Sequence, residues 1–218
     1  MNKKRGLELF LWILSVFFAS QIYSSINGPI KFNKVKNERY AIVINRLKDI
    51  RIAQIAHKDV KGYYANNFDD LVSFIDNGLF TLTEEKDSSY LAYDRIYRID
   101  MLREVRVVRE LGKVSVKDSL FKDNDSYKQM AFIPIKGKED EKFSISADII
   151  DKNGYEAHVF EVKVKKDVIL YDQNKDLLKQ ENKTISVDGV NGSEIVLGSM
   201  TQVSTSGNWP TIFDANKK

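Results

Sequence analysis

The hydrophobic pattern changes three times along the chain. Residues 9–26 are apolar except for Ser15, Ser20, Gln21, Ser24 and Ser25. Lys3, Lys4 and Arg5 precede this run, and Asn27-Gly28-Pro29 follow it. A helix needs about 20 mostly apolar residues to cross a bilayer core, and ~17 are enough in short spans. The run meets that length, and Leu9, Phe10, Leu11, Trp12, Ile13, Leu14, Val16, Phe17, Phe18 and Ile22 are its anchoring side chains. Proline lacks the N–H and restricts the residue before it, so the helix is expected to stop at residues 27–29. Residues 30–37, with three lysines, then read as a juxtamembrane linker.

A helical period follows over residues 38–60. Val43, Leu47 and Ile50 recur at i, i+4 and i+7, with Tyr40 and Ile44 beside them, and Gly62 is the expected stop. A shorter amphipathic stretch over 68–77 places Leu71, Val72, Phe74 and Ile75 on one stripe and closes at Gly78. Residues 84–104 fit neither period cleanly. Leu91, Ile96, Ile99 and Leu102 are spaced roughly as in a helix, and a helix is the expectation there. From residue 105 the period becomes two, clearest at Phe143, Ile145, Ala147 and Ile149 and again at His158, Phe160, Val162 and Val164. Asn153-Gly154 between these runs marks a two-residue hairpin turn. Further strands are expected over 130–135, 168–171 and 194–197. Helices first and strands second predict an α+β fold with a mostly antiparallel sheet. The expected organisation is a basic segment and transmembrane signal anchor (1–29), a linker (30–37), a soluble α+β domain (38–199) and a C-terminal tail (200–218).

Two other readings of the N-terminal run stay open. A cleaved signal peptide needs small residues at −3 and −1, but Phe17 lies two residues before Ala19 and Tyr23 two before Ser25. A buried soluble helix is disfavoured because residues 9–16 are apolar on nearly every face. Lysines and arginines flank both ends, so charge alone barely sets the orientation. Resemblance of the start to a signal anchor favours the domain on the outer, periplasmic side of the cytoplasmic membrane.

Composition narrows the chemistry. The 218 residues carry 34 Lys and Arg against 31 Asp and Glu, a net charge of +3 with the signs interspersed. A nucleic-acid binder would show a basic stripe, so none is expected as a partner. The chain has no cysteine, which excludes disulfides, zinc thiolates and cysteine nucleophiles. His57 and His158 are its two histidines, and packing roles are expected for both. The Glu139-Asp140-Glu141 cluster lacks the spacing of a calcium loop. Asp69 and Asp70 open the second helix, where negative charge meets the helix dipole. Gly189, Gly192 and Gly198 form no phosphate loop. Neither a cofactor, a metal nor a small-molecule substrate is expected. In the tail, Trp209, Ile212 and Phe213 are too apolar for a free end and are candidates for docking on the domain or on a partner.

The run Arg46-Leu47-Lys48-Asp49-Ile50-Arg51-Ile52-Ala53-Gln54, followed by Lys58, Gly62, Tyr63 and Tyr64 and by Phe68-Asp69-Asp70-Leu71 with Phe74-Ile75, resembles a family of uncharacterised membrane-anchored proteins of Bacteroidota. The similarity extends to Val114-Ser115-Val116-Lys117-Asp118-Ser119-Leu120-Phe121, Val159-Phe160-Glu161, Leu197-Gly198-Ser199 and Gly207-Asn208-Trp209. It implies an anchor followed by a domain, and brings no activity with it. The succession of membrane helix, soluble helix and sheet is similar in outline to pseudopilins. A prepilin cleavage site has glycine with glutamate at the fifth position of the run that follows, whereas Gly6 is followed by Glu8 at the second and Leu11 at the fifth. The expectation is a membrane-anchored, non-enzymatic scaffold with a protein partner. A pseudopilin-like subunit is the alternative, and an envelope enzyme using carboxylates or His57 is the least favoured reading.

Overall fold

The protein is described by a computed structural model covering residues 3–122, 124–152 and 154–214, with the side chains of residues 3–6 and of Leu9 outside that description. The fold is α+β: a long apolar-started helix, short helices and antiparallel sheets. Helix α1 spans Lys3–Lys61 and contains Pro29. The expected stop at residues 27–29 is therefore absent, and residues 30–37 are helical rather than a linker. An internal proline removes one backbone hydrogen bond and crowds the carbonyl four residues back, here Ser25. Hydroxyls nearby can take up such freed groups, and Ser24 and Ser25 stand within that turn. The helix ends where Gly62 turns to φ +87° and its N–H bonds the Lys58 carbonyl at 2.7 Å.

The chain divides into two compact units, one of residues 1–49 and 131–218 and the other of residues 50–130. In the first, β3 (Ser144–Lys152), β4 (Tyr155–Lys165) and β5 (Glu194–Gly198) form an antiparallel sheet in the order β3-β4-β5. Lys152 pairs with Tyr155 across the expected hairpin. Gly154 has φ +82°, while Asn153 lies outside the described residues. The core of this unit combines Tyr40, Val43, Ile44 and Leu47 of α1 with Phe160, Val162, Ile195 and Leu197 of the sheet, all buried. Each such aliphatic side chain contributes about 1.5–3 kcal/mol when removed from water. Between β4 and β5 the chain makes α4 (Lys166–Ile169) and α5 (Lys175–Asn182). The strand expected at 168–171 is thus replaced by a helical turn, which four apolar residues cannot distinguish from a strand by period. Residues 130–135 contribute only an isolated bridge between Phe132 and Lys142.

The second unit combines the end of α1 with α2 (Phe68–Asn77), the strands β1 (Leu79–Asp94) and β2 (Ile99–Ser115), α3 (Val116–Leu120) and a 3-10 turn at Asp125–Gln129. Asn67 caps α2 by accepting from the Asp70 amide at 2.7 Å. The buried Gln54 amide fastens the intervening loop, donating to the Ala65 carbonyl at 2.8 Å and accepting from the Ala65 N–H at 2.9 Å. The helix expected over 84–104 is instead most of an antiparallel β1–β2 ribbon. Residues 81–91 and 99–114 of that ribbon are exposed on both faces. With neither face buried, no alternation was imposed on the sequence, and its irregular apolar spacing imitated a helix.

Candidate functional site

The apolar part of α1 presents its side chains to the outside. Trp12 is 73% and Ile13 69% exposed, and Phe10, Leu11, Val16, Phe17, Phe18 and Ile22 are likewise exposed, with Leu14 half-buried. By length and composition this helix can cross a membrane, and none of its most apolar stretch is buried within the protein.

Immediately beyond that stretch, three basic residues of α1 fasten separate segments of the first unit. Lys36 pairs with Glu181 of α5 at 2.9 Å. Arg39 reaches past α4, donating to the Ile169 carbonyl at 2.8 Å and holding both oxygens of Asp172 at 2.6 and 2.8 Å. The guanidinium keeps the Asp172 carboxyl down at about 2. Lys48 donates to the Phe213 carbonyl and lies 3.3 Å from Asp214.

Lys166 is the fully buried member of this cluster. Its ammonium donates to the Glu181 carbonyl at 3.0 Å, to Glu181 Oε1 at 3.1 Å and to the Val190 carbonyl at 2.8 Å. An ammonium has three protons, and these three bonds use them all. Burial lowers the Lys166 pKa, and the Glu181 carboxylate opposes that shift. Tyr40 donates to the same Oε1 at 3.3 Å, and its pKa is raised, first by burial and then by the Glu181 charge. Glu181 thus receives Lys36 on one oxygen and Lys166 with Tyr40 on the other. The arrangement locks α1, α4 and α5 together. Breaking such a buried pair by removing one partner costs about 3–5 kcal/mol. A cleft of about 340 Å³ adjoins it, lined by Lys36, Tyr40, Asp188, Val190, Ile212 and Phe213 among others.

The tail folds along the sheet edge. Gly207 bridges to Leu197, and Asn208 accepts from the Val196 N–H at 2.9 Å while donating to the Asn191 and Glu194 carbonyls. Trp209 is 7% exposed, and its indole N–H lies 3.3 Å from Asp214. A Cβ at position 207 would run into the Trp209 ring, so glycine is required there. Phe213 is half-buried, whereas Ile212 is 67% exposed.

The other candidates are dispersed. His57 is buried between the Tyr63 and Phe74 rings, with Nδ1 2.7 Å from the Tyr63 carbonyl. His158 sits on β4 opposite Ile149. Glu139 accepts from the Gly137 amide at 2.9 Å, and Glu141 pairs with Lys138 at 3.3 Å. Asp70 accepts from the Asn67 side chain at 2.7 Å. Among the described residues, no group of three or more His, Asp or Glu side chains could hold a metal ion. The Lys166–Glu181 pair and the Arg39–Asp172 fork escaped sequence reasoning. Lysine is almost never fully buried, and partners 15 and 133 residues apart follow no period. No family model, curated protein or solved structure matches the chain.

Proposed function

We propose that this is a single-pass protein of a bacterial cytoplasmic membrane whose domain, on the periplasmic side, serves as a non-enzymatic scaffold for a protein partner. One observation carries the reading: an exposed apolar helical stretch continues without a break into the helix that supplies the core of the first unit. Water does not stabilise a bare stripe containing Trp12, Ile13, Phe17 and Phe18, and a hydrocarbon core does. The polar cluster beyond it supports a fastening role, because the hydrogen-bonding groups of Lys166 and Glu181 are spent within the protein.

Full-length protein should stay with the membrane pellet after alkaline carbonate extraction, and deletion of residues 1–29 should release the remainder to the soluble fraction. Full-length chain in the carbonate supernatant, or a mature chain beginning after residue 19, would overturn the anchor.

The pseudopilin-like reading is favoured by the same continuity, since Pro29 does not interrupt the helix. It concerns shape and assembly alone, because Gly6 lacks the following pattern that prepilin processing needs. Purification from detergent-solubilised membranes separates the two: a scaffold retains a different protein, a filament subunit retains copies of itself.

A further inference from the structure

The β1–β2 ribbon runs for 16 and 17 residues, roughly 50 Å at the rise of an antiparallel strand. A two-stranded ribbon with nothing on either face is marginal in water. Its register assigns the paired side chains from Thr83 to Asp94 to a face. Thr83, Glu85, Asp87, Ser89, Leu91 and Tyr93 share one face with their partners Glu110, Val108, Arg106, Glu104, Leu102 and Asp100. The intervening pairs, from Glu84–Arg109 to Asp94–Ile99, share the other.

The two faces differ in charge. The first carries five carboxylates against Arg106, which lies 3.4 Å from Glu85 and 3.6 Å from Asp87, and against Lys113 opposite Thr81 at its base. The second carries Lys86, Arg103 and Arg109 against Glu84 and Asp94. Asp94 is engaged at the tip, where one carboxylate oxygen accepts from the Ile96 and Tyr97 amides and the other lies 3.8 Å from Arg103, so Lys86 and Arg109 are the cations of this face with no ion pair to Asp94. The faces agree in their apolar ends. Towards the tip the first exposes Leu91, Leu102 and Tyr93, and the second exposes Tyr90, Met101 and Ile99.

We propose that the ribbon is a self-association arm, in which the acidic face of one copy stacks in parallel on the basic face of the next. Parallel stacking sets tip on tip and base on base. It therefore buries the two apolar ends against each other while Glu85, Asp87 and Glu104 meet Lys86, Arg103 and Arg109. An antiparallel stack would set apolar ends on charged ones and leave both uncompensated. Because the contacting faces are different, the contact is heterologous and repeats from copy to copy. The partner is thereby another copy of the same chain, the outcome that belongs to the pseudopilin-like assembly reading, and the inference rests on that reading.

The absence of cysteine allows a direct test with the full chain in vesicles of phosphatidylethanolamine and phosphatidylglycerol. Ser89→Cys labels the acidic face and Ser88→Cys the basic face. Stacked sheets lie about 10 Å apart, within reach of a short bismaleimide. Co-reconstituted S88C and S89C chains should cross-link to each other, and neither should cross-link with itself. Adding Asp87→Lys and Glu104→Lys to the S89C chain should lower the yield at least tenfold, and Lys86→Glu with Arg103→Glu on the S88C chain should restore it. Circular dichroism of each variant should match the parent, since all these side chains are exposed. Same-face cross-links at equal yield, no mixed cross-link, or no restoration by the second reversal would overturn the proposal. Carbonate extraction of the same vesicles reads the anchor separately, so loss of cross-linking with the chain still in the pellet counts against self-association alone.

Discussion

Arg39 and Asp172 show how one side-chain pair sets a pH dependence. The fork holds the Asp172 carboxyl at about 2, well below its usual range. A carboxyl depressed in the folded state adds stability above its unfolded value of about 4, and that stability is lost as the pH falls through about 2. The Asp172 side chain is 41% exposed, so solvent screening limits the pair to about 1 kcal/mol despite its bidentate geometry. Asp172→Asn should therefore lower the thermal stability of the detergent-solubilised chain at pH 7 by that amount. The difference from the parent should fade between pH 4 and pH 2. A deficit of equal size at both ends of that range would show that the loss does not come from the charge. Nothing in the sequence around Asp172 reports this pair, because a surface aspartate and a paired one occupy the same kind of Tyr-Asp-Gln-Asn turn.

Elements whose one face is buried were legible, and those solvated all round were not. The Tyr40, Val43, Ile44, Leu47 stripe and the Phe68–Asn77 helix follow their period because burial selects it. The β3–β4 hairpin was readable from alternation on both sides of Asn153-Gly154, and its register ends at Lys152 and Tyr155. The β1–β2 ribbon, exposed over residues 81–91 and 99–114, left no such mark. Helix α1 was cut too early at Pro29, since a proline's cost can be met by surroundings that a local rule does not contain. Gly154→Val gives the hairpin assignment a number. A β-branched residue at φ +82° should cost about 1–2 kcal/mol, with the Cβ itself meeting no neighbour. Unfolding at the parent's temperature would show that the turn does not require positive φ.

On the scale of the whole molecule, α1 is the longest element, 59 residues or roughly 88 Å at 1.5 Å per residue. Its continuity through Gly28-Pro29 can be measured within the first unit. Spin labels at Ser15→Cys and Asn45→Cys, both exposed positions, are separated by 30 residues of helix. A single narrow distance distribution near about 45 Å is expected in vesicles. Replacing residues 30–33 with Gly-Ser-Gly-Ser should broaden it. A broad distribution in the parent chain would show that the helix breaks at the proline after all.

A rigid shaft also conveys rotation. Each residue of an α-helix turns the chain by about 100° and lifts it by 1.5 Å. Lys36, Arg39 and Lys48 grip α5, the turn after α4 and the tail at fixed angles around that shaft. The compass bearing of the first unit is therefore tied to the bearing of Trp12 and Phe17 in their surroundings. Inserting a single residue between Ile30 and Lys31 would keep the buried Phe32 together with the Lys36, Arg39 and Lys48 grips and swing the unit by more than a quarter turn against Trp12 and Phe17. A flexible tether would let it search for neighbours in any direction, whereas this helix determines which way it looks.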